Sequence, residues 1–499
     1  MIRLLASLRW RQLRWVAIAA IVPVLWACNA RKLAPPKPDP KAVVKAKFQQ
    51  SVNRDLDLLF MIDDSQSMAP LQKKMRDRLP DFMDVLKTLP GGLPNVHVAV
   101  VSSSLGAGVY SNVPGCESDP NGNTSGNMNG AFQHSAACTQ LNPGEKFLID
   151  IANPAGGRIQ NFTGSDITPV FSCIADLGQK GCGFEHQFAA TQLALERSLT
   201  AGDENAGFLR DSAYLAVVML TNEDDCSVPV DSKLFDPAQL KIADPLGGLQ
   251  SYRCNEFGHL CGGPPPSSPP HLPPPANAPV TLNNCHSAED GKLVTVAGFT
   301  KFLKDLKPSN PDQVLVAAIA GPVTPYVVEG LVVETGAGME AQPAIRHSCT
   351  SGTAGAEYAD PAVRVKEWLD GFPKDNQVFQ SICAADFKPA MTAIAKAIGA
   401  KLVAQCITGK IADNAAGQPD CDVSEQTKDG AGNIHLNNIP MCDGPGRGNA
   451  SAATPCWEFQ TDTNACPNPN SRLLAVCYEA TCKEKPQNQT DALISCSVQ

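Results

Sequence analysis

The chain has 499 residues, 43% of them apolar, enough for a sizeable core and more than one domain. Its formal net charge of −9 does not favour nucleic-acid binding. Nineteen cysteines without a single C-x-x-C pair exclude zinc-ribbon and thioredoxin-like chemistry, while 41 prolines and 39 glycines announce many loops.

The first residues differ in kind from the rest. Arg3, Arg9, Arg11 and Arg14 make a basic start, no acid occurs before Asp39, and residues 16–27 carry no charge. This is the pattern of a secretory signal, with an apolar run too short to span a bilayer. It ends in Leu25-Trp26-Ala27-Cys28, which resembles a bacterial lipobox. The resemblance implies a signal and lipobox over 1–28, acylation of Cys28, and a protein anchored by lipid in the cell envelope, at the outer membrane or cell surface. With Cys28 set aside, 18 cysteines remain, which could form nine disulfides in an oxidising compartment. Residues 29–52 carry six basic side chains and four prolines and read as a semi-extended stalk.

Residues 56–62 are apolar on both faces, as in a doubly covered strand. Leu71, Met75, Leu79, Phe82, Met83 and Leu86 then recur at three- and four-residue spacing, which predicts a helix that Pro80 kinks or ends. A second strand is predicted over 95–102, followed by an insertion at about 105–179. Residues 183–199 read as a helix and 214–220 as another doubly buried strand. A second insertion, at about 226–287, centres on "GPPPSSPPHLPPPANAP", an exposed polyproline spacer. Residues 288–306 are predicted helical and 314–321 form a fourth strand. Asp360-Pro361 reads as an N-cap with proline at the first helical position, and a last helix covers about 386–403. Buried strands alternating with helices predict a doubly wound α/β domain over 53–405 with a mainly parallel sheet. Residues 406–499, with eight cysteines and few long apolar runs, read as a small disulfide-stapled module.

The first buried strand ends in Asp63, Asp64, Ser65, Gln66, Ser67. In open parallel sheets ligands bind beyond the carboxyl ends of strands. A phosphate loop would need glycines, a haloacid-dehalogenase-type phosphatase would need an acid where Ser65 stands, and a serine hydrolase would need a glycine-flanked elbow. One carboxylate and two hydroxyls instead suit a hard divalent cation.

Asp63-x-Ser65-x-Ser67-Met68 at the end of the first strand resembles the metal-ion-dependent adhesion site of von Willebrand factor type A domains. The resemblance covers roughly residues 53–405. It implies a von Willebrand factor type A-like fold, a Mg²⁺ site (or Mn²⁺ or Ca²⁺), and binding of a protein or other envelope or extracellular ligand without catalysis. Aligning Ala190 and Ala194 with the family's second-loop alanines places Glu185 where the family has threonine. "VVMLTNEDDC" places Asn222 where it has aspartate. The expected ligand set is therefore Asp63, Ser65, Ser67, Glu185, and Asn222 or Asp224, with the cation's coordination partly saturated by Glu185. Cys182 and Cys226 lie near two of the three site loops. Two further readings stand beside this one: a metal-dependent envelope hydrolase, for which only His186 adjoins the site, and a structural envelope protein with a vestigial metal site.

Overall fold

Fully apolar strands set the architecture, because each must be covered on both faces. In chain order the elements are β1 (Ala42–Gln49), β2 (Asp55–Ile62), α1 (Ala69–Arg76), α2 (Leu79–Lys87), β3 (Asn95–Ser102), β4 (Leu148–Ala152), β5 (Arg158–Gln160), α3 (Ile167–Ile174), α4 (Gln187–Leu199), β6 (Tyr214–Leu220), α5 (Tyr252–Gly258), α6 (Val296–Asp305), β7 (Val314–Ala320), β8 (Tyr326–Thr335), β9 (Gly338–Arg346), α7 (Val363–Asp370), β10 (Gln377–Ser381), α8 (Lys388–Leu402), β11 (Cys421–Lys428), β12 (Ile434–Ile439) and β13 (Asp491–Val498), with shorter strands between. The computed structural model describes residues 42–49, 53–117, 125–133, 137–308, 310–335, 338–403 and, beyond them, 406–408, 411–428, 434–442, 455–460, 471–478 and 491–498. The leader, Cys28 and the first part of the stretch read as a stalk lie outside the described residues.

The main sheet has the order β10-β7-β6-β2-β3-β4-β5. Strands β10, β7, β6, β2 and β3 run parallel, and β4 and β5 add an antiparallel edge. The alternation within β2 assigns its two faces. Leu56, Leu58, Phe60 and Ile62 pack into one apolar cluster with α1, α2, α3 and α8, while Leu59 and Met61 pack into another with α4, α6 and α7. The domain is thus doubly wound: one sheet between two helical layers. The chain leaves β2 toward β3 on one side and returns to β6 on the other. The crevice between the carboxyl ends of β2 and β6 is therefore the topological switch point, where such sheets bind ligands.

Several expectations are revised by tertiary context. The first insertion contributes β4 and β5, which extend the sheet, and α3. The helix expected over 71–86 breaks at Asp77 and Arg78, and Pro80 sits in the first turn of α2, where its missing N–H costs no hydrogen bond. The strand β10 and the hairpin β8–β9 carry weaker apolar patterns and were not expected. The stretch read as a stalk contributes β1, which pairs antiparallel with β13 at the edge of the C-terminal sheet β1-β13-β11-β12. The C-terminal module is thus completed by the segment that precedes the main domain. Disulfides join Cys116 to Cys182, Cys138 to Cys173, Cys226 to Cys254, Cys261 to Cys285, Cys349 to Cys383, Cys421 to Cys496 and Cys442 to Cys456.

Away from the crevice, β2 and β3 bury a titratable pair of neighbours, Asp57 and His97. Asp57 is fully buried and accepts from Arg210 Nε at 2.8 Å, and His97 Nδ1 donates to the Phe208 carbonyl at 2.8 Å. Burial pushes the Asp57 carboxyl up to about 6 against the pull of Arg210. Burial, with help from Arg210, pushes His97 down to about 4. The signs oppose. The Asp57 contribution is present at low pH and lost as pH rises toward 6. The His97 contribution is present above its ordinary range and lost as pH falls toward 4. Each is worth about 3 kcal/mol over its window. Relative to the native chain, His97→Gln is expected to make unfolding free energy fall more steeply as pH rises from 4 to 6. Asp57→Asn is expected to make it fall more steeply as pH drops through the same range. Denaturant titrations with disulfides intact check this, and parallel profiles for all three proteins would refute it.

Candidate metal centre at the switch point

The end of β2 is held by its neighbour. Asp63 N–H donates to the Leu220 carbonyl at 3.0 Å, continuing the β2–β6 ladder one residue past the strand. The chain then turns through a single 3₁₀ turn, Gln66–Met68, anchored by the fully buried Met68. Asp63 itself fixes the turn, because its Oδ1 accepts from Ser65 N–H at 2.8 Å. Its Oδ2 accepts from the Thr221 hydroxyl at 2.9 Å, and that hydroxyl accepts from Gln187 Nε2 at 2.9 Å.

The two serine hydroxyls lie 3.4 Å apart, and Ser67 Oγ donates to Asn222 Oδ1 at 3.2 Å. The 3₁₀ turn brings Ser65 and Ser67 to the same side. Asn222 Nδ2 in turn donates to the Tyr358 carbonyl at 3.1 Å. Tyr358 covers this edge of the site: its hydroxyl hydrogen-bonds Ser67, and its ring stacks on His347 at 3.9 Å between centroids.

Glu185 lies in the loop before α4, two residues short of the helix, rather than in its first turn. The loop is stitched from both sides. Cys226 N–H donates to the Glu185 carbonyl at 2.8 Å and His186 N–H to the Ser103 carbonyl at 2.9 Å. The Cys116–Cys182 and Cys226–Cys254 bridges brace the same loops. The Glu185 side chain is 1% exposed. Its carboxyl hydrogen-bonds that of Glu223, while its Oε1 is buried without a partner. Burial raises Glu185 well above the carboxylate range, and the nearby Glu223 and Asp63 charges raise it further. Glu223 is half-buried and is pushed up to about 8 by loss of solvent and by Asp360 and Asp63. Asp63 is raised by burial, against hydrogen bonds from Ser65, Thr221 and Asn222. None of these three acids forms an ion pair with a basic side chain among the described residues, and burial leads the causes that raise each of them. Buried carboxyls without counter-charge must be neutralised by protons or by a cation, and two hydroxyls and an amide oxygen beside them are donors a hard cation accepts.

Asp224 does not join this set. Its Oδ2 meets His259 Nε2 at 2.9 Å and accepts from Arg364 N–H at 2.8 Å, and its Oδ1 accepts from Val365 N–H at 3.1 Å. It caps α7, the role expected of Asp360, because the helix begins at Val363 and its free N–H groups attract the nearest carboxylate. Asp360 instead meets His347 Nδ1 at 2.7 Å. Asp64 turns away from the crevice to accept from the hydroxyls of Ser102 at 2.7 Å and Ser104 at 2.9 Å. Only glycine fits opposite it, since a Cβ on Gly181 would lie 2.4 Å from Asp64 Oδ1. His186 is buried, its Nε2 is 2.9 Å from the Gly106 carbonyl, and burial pushes it down to about 4. The ring is thus engaged away from the serines, whose hydroxyl partners are each other, Asn222 and Tyr358. Sequence reasoning missed Glu223, Tyr358 and Asp360. Only Glu223, next to Asn222, stood within reach of a motif.

No family model and no curated protein matches the chain. Similar solved structures include a von Willebrand factor type A protein from Catenulispora acidiphila, 9% identical over 93% of this chain and 67% of that one, with a TM-score of 0.28. The von Willebrand factor domain of the type V pili tip protein Mfa5 from Porphyromonas gingivalis is 11% identical over 72% of this chain and 99% of that one, TM-score 0.30. The pilus adhesin SpaC from Lactobacillus rhamnosus GG is 10% identical over 92% of this chain and 41% of that one, TM-score 0.29. Superpositions at these scores describe a distant likeness, and the fold is read from the chain's own strand order: a doubly wound, mainly parallel α/β domain with its polar crevice at the switch point.

Proposed function

We propose that the chain is an exported, lipid-anchored cell-envelope protein whose central domain is a von Willebrand factor type A-like binding module and not an enzyme. In this reading Asp63, Ser65 and Ser67, with Asn222 and Glu185, hold a divalent cation, Mg²⁺ or else Mn²⁺ or Ca²⁺. The observation that carries it is the gathering of two hydroxyls, an amide oxygen and uncompensated buried carboxyls at the switch point of a parallel sheet. When bound, the cation would offer an electropositive point to an acidic group of a protein or other envelope or extracellular ligand. The side chains do the rest. Thr221 and the Ser65 N–H orient Asp63, Asn222 orients Ser67, and the bridged loops keep Glu185 in place.

Glu185 and the cover of Tyr358 also favour a second reading, in which the cation braces the loops and captures partners weakly. The hydrolase reading loses its base, because His186 is spoken for. Calorimetric titration of the EDTA-treated protein with Mg²⁺ and Mn²⁺, with and without a glutamate-rich peptide, tests the module. Mass spectrometry of the mature N-terminus tests the anchor: an acylated Cys28 is expected, and an unmodified Cys28 or cleavage elsewhere refutes it.

A further inference from the structure

Glu185, whose Oε1 is buried without a partner, lines a space apart from the serine turn. A cavity of about 10 Å³ is lined by Glu185, Glu223, Asp360, Ser251 and Asn255, with Asp224 and Asp225 in its wall, and none of Asp63, Ser65 and Ser67 lines it. Its size suits one water-sized occupant. Its acids differ in how they are matched. Asp225 pairs with Arg364 at 3.0 Å, Asp224 with His259 at 2.9 Å and Asp360 with His347 at 2.7 Å. Glu185 and Glu223 share a hydrogen bond and form no ion pair with a basic side chain among the described residues. The walls are fixed in place, since the Cys226–Cys254 bridge ties the loop after β6 to α5, and both cysteines line the space.

We propose that this cavity is a second divalent-cation site, adjacent to the serine turn and separate from it, in which Glu185, Glu223 and Asp360 bind a hard cation such as Ca²⁺. The three acids, Ser251 and Asn255 offer oxygens to the space, and the His259 ring that also lines it is held by Tyr326 and Asp224 at 2.8 and 2.9 Å. Oxygens are the ligand chemistry of Ca²⁺ rather than of softer metals. Glu185 then lines this space while its carboxyl still feels the charge of Asp63 at the serine turn. The inference stands on the cavity and the orphaned oxygen and does not require the serine turn to bind metal.

The test counts ions. The mature chain is stripped with EDTA, exchanged into Ca²⁺ or Mg²⁺, and weighed by native mass spectrometry, with calorimetry for affinity. Two ions are expected on the native chain and one on Glu223→Gln, on Asp360→Asn and on Asp63→Ala, with near-ultraviolet circular dichroism confirming that each variant is folded. A single ion that Asp63→Ala retains and Glu223→Gln loses would still support this site while ending the serine-turn reading. An ion count unchanged in both Glu223→Gln and Asp360→Asn overturns the proposal, whether a shared proton or a water fills the space. A single ion lost in Asp63→Ala and Glu223→Gln alike overturns it as well, because the two acids would then serve one site. Should one carboxamide variant fail to fold, the other carries the comparison.

Discussion

Asp63→Ala is expected to remove the cation from the serine turn, leaving a calorimetric titration with Mg²⁺ or Mn²⁺ one ion short of the native chain. Asp63 is the one acid placed directly at the end of the central strand beside both hydroxyls, and its oxygens are oriented by Ser65 and Thr221 before any metal arrives. The substitution also leaves the buried Ser65 N–H short of an acceptor, which costs about 1–3 kcal/mol of stability, whereas the Thr221 hydroxyl keeps the Glu223 carbonyl at 3.0 Å. The fold should survive that loss, because the side chain belongs to neither apolar cluster. Glu185→Thr acts in the opposite sense. It removes a buried, uncompensated carboxyl from the site and frees a coordination position. Affinity for a glutamate-rich peptide in Mg²⁺ is expected to rise at least about tenfold, or ~1.4 kcal/mol. If the native chain and Asp63→Ala bind equal numbers of ions, the turn is structural only. If Glu185→Thr leaves peptide binding unchanged, the cation does not capture acidic partners.

The parts of this fold that could be read from residues alone are those where burial on both faces leaves no choice. β2, β6 and β7 are uninterrupted apolar runs, and the structure covers them on both sides. β10, whose residues "QVFQS" are all half-buried at the sheet's edge, has no such pattern and was not legible. The pairing of β1 with β13 was not legible for another reason: it joins two segments at opposite ends of the chain, and neither strand signals its partner. At the site, Asp63, Ser65 and Ser67 were legible because a single turn carries them. Tyr358 and Asp360 were not, since only the path of the hairpin after β9 brings them over Asn222. The role of Asp224 was misjudged because its neighbours in sequence are acids, whereas its neighbour in space is a helix start 140 residues on.

Arg364→Ala is expected to produce the largest loss of stability of any single substitution considered, about 3–5 kcal/mol. Arg364 and Asp225 are both fully buried and 3.0 Å apart. Arg364 Nη1 also donates to Ser287 Oγ at 2.7 Å and Nη2 to the Val294 carbonyl, and the guanidinium lies 5.7 Å from the Phe188 ring centroid. Asp225 has work beyond the pair: its Oδ1 accepts from Phe188 N–H at 2.9 Å and from the Ser227 hydroxyl at 2.6 Å. The run after β6 therefore caps two helices, α7 through Asp224 and α4 through Asp225, and Arg364 supplies the counter-charge to Asp225 in the interior. Removing the guanidinium strands a buried carboxylate, and burial already raises that carboxyl even with Arg364 present. The remedy is to remove the charge as well. Asp225→Asn keeps an oxygen for the Phe188 N–H, so Asp225→Asn with Arg364→Met should be more stable than Arg364→Ala. Guanidinium titrations with disulfides intact decide it. A loss under about 1 kcal/mol in Arg364→Ala, or a double variant no more stable than the single one, would mean that the pair does not hold the two helix starts to the crevice.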